Sequence, residues 1–349
     1  MQFAGTQWSS ALDIVGTAGR MAWSYRLRRR CRRHLRKFGL EPLRLRIVFS
    51  RSSPFPYQMR LAREGEGYLI DLRGPDPELI AFASRNRLEC YIYWLSRCPA
   101  EIRSIGVDLS DGDNAAEGPF CASSDDPEKI LLPDPYFFMR KGFADMRAIA
   151  DADTRDWAER SGTIRWRGTT TGTGRIALTA HARTDPTVLP RLRMLMLLRD
   201  VPGTDALFAA VGEAAWMEGP LRHFGYFGER IAEGDWINDK YALDIDGFSN
   251  TWSNLLARMH LGCCVLKVAS QQGYRQWYYD RLEPWTHYVP VRSDMSDLAE
   301  RIAWVRGNQA QARAIASAGQ AFARSMTMES ETRFAVDAIV AAHRAGRAG

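Results

Sequence analysis

Cysteine is scarce in this sequence: the 349 residues include six, with no Cys-x-x-Cys pair and no histidine spacing typical of a zinc site. This scarcity excludes a small secreted domain held by disulfides, and the absence of paired cysteines excludes a zinc-finger module. We therefore expect six reduced and mostly buried thiols, as in a cytosolic protein. The adjacent Cys263 and Cys264 lie in an apolar run, so we interpret them as core residues rather than as a redox pair.

Long hydrophobic runs are also missing. The best stretch, residues 255–269, is interrupted by Arg258, His260 and Lys267, whereas a transmembrane helix needs about 20 consecutive apolar residues. The first residues lack the basic leader and the unbroken apolar core of a secretory signal peptide. These absences predict a cytoplasmic protein.

Lysine is rare as well, and the excess positive charge is concentrated in one segment. Residues 1–46 carry eleven basic and two acidic side chains, a net charge of +9, so the rest of the chain sums to −3 against a total of +6. A protein that follows nucleic-acid phosphates over its surface needs basic charge on its folded body too. Nucleic-acid binding is therefore a weak interpretation, which salt-dependent affinity surviving the removal of residues 1–40 would revive.

The basic charge belongs to an amphipathic segment, residues 8–37. Apolar residues recur there at helical spacing before a run of arginines; they are Trp8, Ala11, Leu12, Val15, Ala18, Met21, Ala22 and Tyr25. A basic amphipathic helix binds anionic membrane surfaces, at about 1 kcal/mol per basic residue near the surface. Two interpretations stay open: a helix that holds the protein peripherally at the inner face of a membrane, and a solvated helix that packs on the neighbouring domain.

The length and the apolar patterning predict two α/β domains. Short alternating or apolar runs predict strands at 43–49, 102–109, 129–132, 163–166, 241–245 and 263–268, and helical periodicity predicts helices at 251–260, 294–307, 308–326 and 329–345. We place domain boundaries so that a basic segment covers 1–45, an N-terminal domain 46–150, a C-terminal domain 151–325, and a terminal helix and tail 326–349. Residues 144–160 are expected to form a helical connector.

Three loops near strand ends are candidates for chemistry. Asp111-Gly112-Asp113 follows a strand, where a carboxylate can accept a proton from an attacking hydroxyl, although an acidic surface turn fits the pattern too. Residues 167–174 combine an arginine with glycines and hydroxyls, which can surround a phosphate, but a flexible hairpin tip fits equally well. Residues 240–291 include two of the five lysines together with aromatic residues that would also suit a core.

An ordered set of motifs resembles glycosyltransferase family 90. The motifs are WRGTTTG (166–172), KYALDIDGFSNTWSNLL (240–256), GCCVLKV (262–268) and LEPWTHYVPVRSDMSDL (282–298), within a similarity over roughly residues 100–325. The family includes Rumi-type protein O-glucosyltransferases, fungal capsule-associated xylosyltransferases and bacterial lipopolysaccharide-modifying transferases. The resemblance implies a GT-B-type α/β fold, two Rossmann-like domains facing a central cleft, with the acceptor side in 46–150 and the nucleotide sugar in 151–325. It also implies inversion at the anomeric carbon without a metal or another cofactor.

The same resemblance assigns roles to residues. It implies that Asp111 is the general base, with Asp113 as the alternative. The implied donor-binding residues are Arg167, Gly168, Thr169, Thr170, Lys240, Asp246, Gly247, Phe248, Ser249 and Lys267, and the implied cleft lining is Trp166, Arg258, Trp285, His287 and Tyr288. Many relatives carry an arginine shortly after the Asp-Gly turn, but residues 250–257 include no basic side chain. Arg167, Lys240, Arg258 and Lys267 therefore remain open candidates for meeting the phosphate charge.

The expected function is transfer of glucose or xylose from a UDP-sugar to a hydroxyl of a glycan or lipid-linked glycan, such as a bacterial lipopolysaccharide or another envelope polysaccharide. The missing arginine keeps an alternative open, a nucleotide-sugar-binding protein with little turnover. The sequence leaves the sugar, the nucleotide, the linkage and the oligomeric state undetermined.

Overall fold

The structure is a computed structural model that describes residues 17–40, 43–76, 80, 84, 86–112, 116–212 and 215–347, with side chains from residue 21 onward. The chain forms two compact units. Unit 1 comprises Met1–Met139, Tyr274–Trp277 and Thr327–Gly349, and unit 2 comprises Arg140–Gly273 and Tyr278–Met326. The expected boundary after residue 150 thus lies inside unit 2, and the terminal helix belongs to unit 1 rather than standing apart.

The described part of the chain contains ten α-helices: α1 (Thr17–Arg36), α2 (Leu88–Arg97), α3 (Pro135–Met139), α4 (Ala144–Ala152), α5 (Pro190–Leu198), α6 (Glu218–His223), α7 (Asn254–His260), α8 (Leu298–Gly307), α9 (Gln309–Ser325) and α10 (Met328–Arg344). The last three confirm the helices predicted from the Ala/Arg-rich periodic stretches. The expected connector at 144–160 is helical only in part, as α4 and a short 3-10 turn at Trp157–Glu159.

Unit 1 is built on a mixed sheet of six strands. They are β1 (Arg44–Ser50), β2 (Gln58–Glu64), β3 (Gly67–Arg73), β4 (Ser104–Asp108), β5 (Phe120–Cys121) and β6 (Ile130–Leu131), in the order β1-β3-β2-β4-β5-β6. Strand β2 is antiparallel to both of its neighbours, whereas the remaining pairs are parallel. The α/β class is as predicted, but the β2–β3 hairpin was not, so the sheet is not the purely parallel one of a simple Rossmann-like domain.

Helix α1 is part of the unit 1 core. Its buried apolar side chains are spaced four residues apart, at Trp23, Leu27, Cys31 and Leu35, which places them on one face of the helix. Of the expected apolar stripe, Met21 and Tyr25 are 68% and 60% exposed, so α1 packs on unit 1 through a different face from the predicted stripe. Residues 8–16 of that prediction lie outside the described residues.

Unit 2 is built on a fully parallel sheet of five strands. They are β7 (Ser161–Thr169), β8 (Thr204–Ala210), β9 (Asp239–Asp244), β10 (Cys264–Val268) and β11 (Val289–Val291), in the order β11-β10-β9-β7-β8. Strand β8 lies on one side of β7, and the strands that follow it in the sequence, β9, β10 and β11, lie in order on the other side. This is the doubly wound α/β topology, and its direction reverses between β7 and β9.

The structure also bears on the predicted state of the cysteines and on the predicted lack of a transmembrane helix. All six cysteines are free thiols and buried, as predicted, and burial raises the pKa of Cys263 to about 12. Within the described ranges, no helix combines the length and the apolar character that crossing a bilayer requires.

Candidate functional site

The candidate site in unit 2 lies at the switch point of its sheet, which is the place between β7 and β9 where the direction of winding reverses. In open α/β sheets, ligands bind outside the carboxyl ends of the strands at this point, because the loops that leave the two central strands diverge there. In unit 2 these are the loop after β7, which begins at Thr169, and the loop after β9, which contains Asp246 and Gly247. Both loops were predicted to bind the donor, and the topology brings their strand ends side by side.

Arg191, which the sequence reasoning missed, connects these two loops. It lies in the first turn of α5 and is 7% exposed. Its Nε donates to the carbonyl oxygen of Asp246 at 2.9 Å and its Nη2 to that of Ile245 at 3.1 Å. On the other side, Nη1 donates to the carbonyl oxygen of Thr169 at 3.1 Å and to Thr171 Oγ1 at 2.7 Å. One side chain therefore fixes both loops.

The electrostatic consequence is a buried cation with uncharged hydrogen-bond partners. Burial lowers the pKa of Arg191 to about 10, while the nearby carboxylates of Asp246 and Asp244 oppose that shift. The group is therefore still charged at neutral pH. Its signal in the sequence was an arginine directly after Pro190, at the start of a helix that is apolar from residue 194 to residue 198.

Two glycines are required by the close packing around Arg191. A Cβ atom on Gly247 would lie 2.9 Å from Thr171 Oγ1 and 3.0 Å from Arg191 Nη2. A Cβ atom on Gly168 would lie 2.3 Å from the ring of Trp166, which is 4% exposed and has Arg191 above its face at 5.8 Å. Gly168, Gly247 and Trp166 thus form part of the predicted site for reasons of space.

Lys267 joins the site from the carboxyl end of β10. Its Nζ forms an ion pair with Asp244 at 3.0 Å and donates to the Tyr279 hydroxyl at 3.3 Å. Asn250 also donates to that hydroxyl, at 3.3 Å. Despite burial, the Asp244 and Asp246 carboxylates raise the pKa of Lys267 above its usual range, so it is charged and committed to Asp244.

Several buried polar atoms in the loop after β9 lack a well-formed hydrogen bond among the described residues, although the side chain of Ser270 lies close enough to Asp246 to affect its pKa. They are both carboxylate oxygens of Asp246, the hydroxyl of Ser249 and the hydroxyl of Thr251, on side chains that are 5%, 1% and 8% exposed. Burial raises the pKa of Asp246, an effect that Lys267 and Ser270 oppose. Each unsatisfied buried group costs about 1–3 kcal/mol of stability. Such a concentration within six residues is typical of a loop that contacts a ligand.

Arg167, expected to bind the diphosphate, is committed elsewhere. Its Nη2 forms an ion pair with Asp205 at 2.7 Å, its Nε donates to the Glu229 carbonyl oxygen at 3.0 Å, and its Nη1 donates to the carbonyl oxygen of Asp205 at 2.8 Å. Side chains alternate between the two faces of a strand, so Arg167 lies on the face opposite to Trp166 and Arg191. The geometry favours a structural contact for Arg167.

Four other predicted residues lie near the amino-terminal ends of the strands in this sheet. Lys240 is the second residue of β9, where the chain enters the sheet, and its Nζ lies 5.4 Å from the centre of the Trp157 ring. Trp285, His287 and Tyr288 precede β11, and His287 Nδ1 accepts a hydrogen bond from the Glu283 backbone at 3.0 Å. Because all strands of this sheet are parallel, these positions are at the end opposite to Asp246. The structure does not group them with the switch-point loops.

The remaining predicted residues of unit 2 lie either in the loops after β7 and β9 or away from them. Arg258 is buried with its guanidinium 3.7 Å from the centre of the Trp236 ring, and Trp236 precedes β9, so Arg258 is not at the switch point. Phe248, 41% exposed, lies in the loop beside Gly247, and the Thr170 amide donates to Ala210 at 3.2 Å. Both of these belong to the predicted loops.

The predicted base, Asp111, follows β4 in unit 1. Its carboxylate forms an ion pair with Arg87, whose Nη1 also donates to the Leu109 carbonyl oxygen at 2.6 Å. The Asp111 side chain is 32% exposed, so its second oxygen can meet a substrate. Asp108 in the preceding strand is different: it is buried and accepts two hydrogen bonds from Ser110 at 2.8 Å. Asp113 lies outside the described residues, and among those described no cluster of three His, Cys, Asp or Glu residues could hold a metal ion.

The geometry thus defines a doubly wound α/β unit with a buried cation at its switch point. Residues 135–337 match the family described as Glycosyl transferase family 90, and the chain belongs to that family. The matched range contains the whole of the switch-point site and begins after Asp111.

The curated relatives share shorter segments. A protein O-glucosyltransferase 2 from Danio rerio is 30% identical over 185 residues, 53% of this chain and 33% of its own length. A protein O-glucosyltransferase 3 from Homo sapiens is 37% identical over 93 residues, 26% of this chain and 18% of its own length. The chain spans a third or less of the length of these relatives. Among solved structures, a protein from Anabaena in complex with UDP-glucose is 12% identical over 51% of this chain and 49% of its own, with a TM-score of 0.33.

Proposed function

We propose that the protein is an inverting glycosyltransferase that uses a UDP-sugar, with glucose or xylose as the sugar, and transfers it to a hydroxyl of a lipopolysaccharide or another envelope glycan. Membership of family 90 supports the reaction class. The observation that carries the proposal is the placement of Arg191, a buried cation with uncharged partners, at the switch point of unit 2.

Arg191 supports binding of a diphosphate through its charge. Bringing an anion near a buried, rigidly held cation is favourable because the surroundings screen the interaction less than water does. Four of the five N–H bonds of the guanidinium hold the loops, so its main contribution is a fixed positive potential. The same potential stabilises the negative charge that develops on a departing nucleoside diphosphate.

Asp111 supports the base role through its exposure and its fixed position. An inverting transfer needs a base that takes the proton of the acceptor hydroxyl as it attacks the anomeric carbon, and such a base contributes about 10²–10⁴-fold to the rate. Arg87 holds the Asp111 carboxylate in position through their ion pair. No metal or further cofactor enters this proposal.

We also propose that α1 attaches the protein to the anionic inner face of a membrane, where a lipid-linked acceptor would lie. Because the face of α1 that carries Trp23, Leu27, Cys31 and Leu35 is buried in unit 1, the attachment is mainly electrostatic, with Met21 and Tyr25 as its exposed apolar part. The exposed basic residues are Arg26, Arg29, Arg32, Arg33, Arg36 and Lys37.

Vesicle co-sedimentation tests this attachment. Removing residues 1–40 would remove core side chains, so charge reversal of Arg29 and Arg33 to glutamate is the better variant, with Arg292→Glu in unit 2 as the control. Binding to vesicles with anionic lipid should fall in the α1 variant alone and should weaken at high salt. Equal binding of both variants would contradict the attachment.

A thermal-shift panel of nucleoside diphosphates and nucleotide sugars tests the donor. A ligand present at about 100 times its dissociation constant adds about 2.7 kcal/mol to the free energy of unfolding. We expect UDP and a UDP-sugar to stabilise the protein. The absence of any stabilisation by the panel would contradict the proposed function.

A binding protein with little turnover is the second candidate, favoured by the absence of a basic residue at 250–257 and by the position of Arg258 beside Trp236. Slow hydrolysis of the stabilising nucleotide sugar distinguishes the two. Hydrolysis indicates a transferase that uses water as a poor acceptor, whereas binding without any hydrolysis or transfer indicates the binding protein.

A further inference from the structure

The loop after β9 contains a group of buried oxygen atoms that can accept hydrogen bonds. Asp246 contributes two carboxylate oxygens, and Ser249 and Thr251 contribute one hydroxyl each, all buried. Within the described residues the two hydroxyls have no hydrogen-bond partner, and the Asp246 carboxylate has the side chain of Ser270 beside it, which leaves most of its acceptor positions unused. Asn250, between the two hydroxyl residues, is already bonded to Tyr279. The free positions are therefore mainly hydrogen-bond acceptors, with hydroxyls that can also donate.

The charges around this loop disfavour a phosphate at these atoms. The carboxylate of Asp244 lies close enough to Asp246 to raise the pKa of Asp246, and Lys267 is ion-paired to Asp244. Arg191 directs its hydrogen bonds to backbone carbonyls and to Thr171. A phosphate oxygen at the Asp246 carboxylate would meet a like charge, whereas a hydroxyl of a sugar would donate to it.

We propose that Asp246, Ser249 and Thr251 form a subsite for sugar hydroxyls of the nucleotide sugar, either those of the ribose or those of the transferred sugar. This inference rests on the proposed function and deepens it. The positive potential of Arg191 attracts the diphosphate, whereas the carboxylate of Asp246 accepts hydrogen bonds from two adjacent hydroxyls of a sugar. A carboxylate that accepts from two adjacent hydroxyls discriminates strongly against a ligand that lacks them, since the buried oxygens would then stay unpaired.

The loop has to shift outward for a ligand to reach these atoms. Its beginning is fixed by the packing of Gly247 against Thr171 and Arg191. Phe248 follows and is the exposed part of the loop, at 41%. Movement of the segment after Gly247 would expose the three side chains to a ligand while leaving the Arg191 contacts in place.

Calorimetric titration of the full chain tests the subsite with UDP-glucose, UDP and 2′,3′-dideoxy-UDP. The variants are Asp246→Asn and Ser249→Ala, and the matched control is Ser253→Ala, a half-exposed residue of the same segment with no side-chain capping bond. We expect Asp246→Asn to weaken UDP-glucose binding at least tenfold and Ser253→Ala to leave it unchanged.

The nucleotide series identifies the source of the hydroxyls. If the subsite takes the ribose, Asp246→Asn weakens UDP binding as well, and the dideoxy analogue binds wild type and variant alike. If it takes the transferred sugar, the variant loses affinity for UDP-glucose but keeps its affinity for UDP. Either pattern supports the subsite.

Ser249→Ala separates ligand recognition from a structural role. Removing a buried hydroxyl that lacks a partner should leave the melting temperature unchanged or raise it, while affinity for UDP-glucose falls. Unchanged affinity for UDP-glucose and UDP in both Asp246→Asn and Ser249→Ala would overturn the subsite and leave the proposed function standing. Failure of the wild type to bind any of the three nucleotides would overturn the proposed function and the subsite together.

Discussion

The Arg191 side chain donates a hydrogen bond from Nε to the carbonyl oxygen of Asp246 across 2.9 Å, and this contact joins the first turn of α5 to the loop after β9. It fixes the backbone of the residue whose carboxylate we assign to sugar recognition. The same guanidinium holds the loop after β7 through Thr169 and Thr171. The positions of both loops and the positive charge between them thus depend on one side chain.

Arg191→Lys is expected to weaken UDP binding about tenfold and to lower the free energy of unfolding by about 1–3 kcal/mol, because an ammonium group cannot reproduce the fork of donors and leaves buried carbonyls unpaired. Calorimetric titration and urea unfolding measure the two effects. Arg193→Lys, on the same helix with one long contact of 3.5 Å, is the control and should change stability by less than about 0.5 kcal/mol. Equal affinities in the two variants would remove Arg191 from the donor site.

Gly247→Ala is expected to reduce donor affinity by moving the loop away from Arg191. Its backbone angles suit any residue, so the effect comes from the contacts of the new methyl group with Thr171 Oγ1 and Arg191 Nη2. Overpacking of this kind costs about 1–3 kcal/mol. Gly162→Ala in β7 is the control, since a Cβ there has no neighbour within 4 Å. An alanine at 247 that binds UDP as well as the wild type would show that this close approach is dispensable.

The sequence predicted the strands that lead into the site, because β9 and β10 are short apolar runs and the Asp-Gly turn follows β9 directly. It grouped Lys240 with Asp246 because both occur in one motif. Six residues along a strand span about 20 Å, so the two are at opposite edges of the sheet. Adjacency in a motif indicated a shared strand rather than a shared site.

Arg191 could not be found by the same reasoning. It lies far from the motif that contains Asp246 in the sequence, and its role depends on α5 returning beside the switch point, which is a property of the topology. The expected amphipathic stripe of α1 shows the related difficulty: helical periodicity fits two faces, and burial selected Trp23, Leu27, Cys31 and Leu35 rather than Met21 and Tyr25.

Asp111→Asn is expected to abolish sugar transfer while leaving UDP binding unchanged, because the amide cannot accept the acceptor's proton. A transfer assay and a titration with UDP, run on the same preparation, separate the two properties. Asp126→Asn is the control within unit 1, since that carboxylate caps a local turn by accepting from the Glu128 backbone. Transfer that persists in Asp111→Asn would remove this residue from the base role.

Arg167→Ala and Lys240→Ala test the two cations that the structure separates from the switch point. We expect Arg167→Ala to lower stability, because the Asp205 carboxylate and three backbone carbonyls lose their partner. The UDP affinity of the folded protein should stay within about threefold of wild type. Lys240→Ala should change neither property. A tenfold loss of UDP affinity in either variant would restore that residue to the donor site.

The pH dependence of stability provides a test in unit 1 that is independent of any ligand. Asp134 is 1% exposed and accepts hydrogen bonds from the Phe137 backbone at 2.7 Å and from Gln276 at 2.8 Å. Burial raises its pKa to about 6, although these hydrogen bonds oppose the rise. The folded state therefore binds the proton more tightly than the unfolded state, so stability is highest below about pH 4 and falls as the pH rises through 6.

Asp134→Asn removes this titration, and the difference in unfolding free energy between wild type and variant isolates it. Groups common to both proteins, including Asp108 with its pKa of about 6, cancel in that difference. We expect the wild type to lose up to about 3 kcal/mol relative to the variant between pH 4 and pH 7, as measured by urea unfolding at each pH. A constant difference across this range would show that the Asp134 carboxyl titrates alike in the folded and unfolded chain.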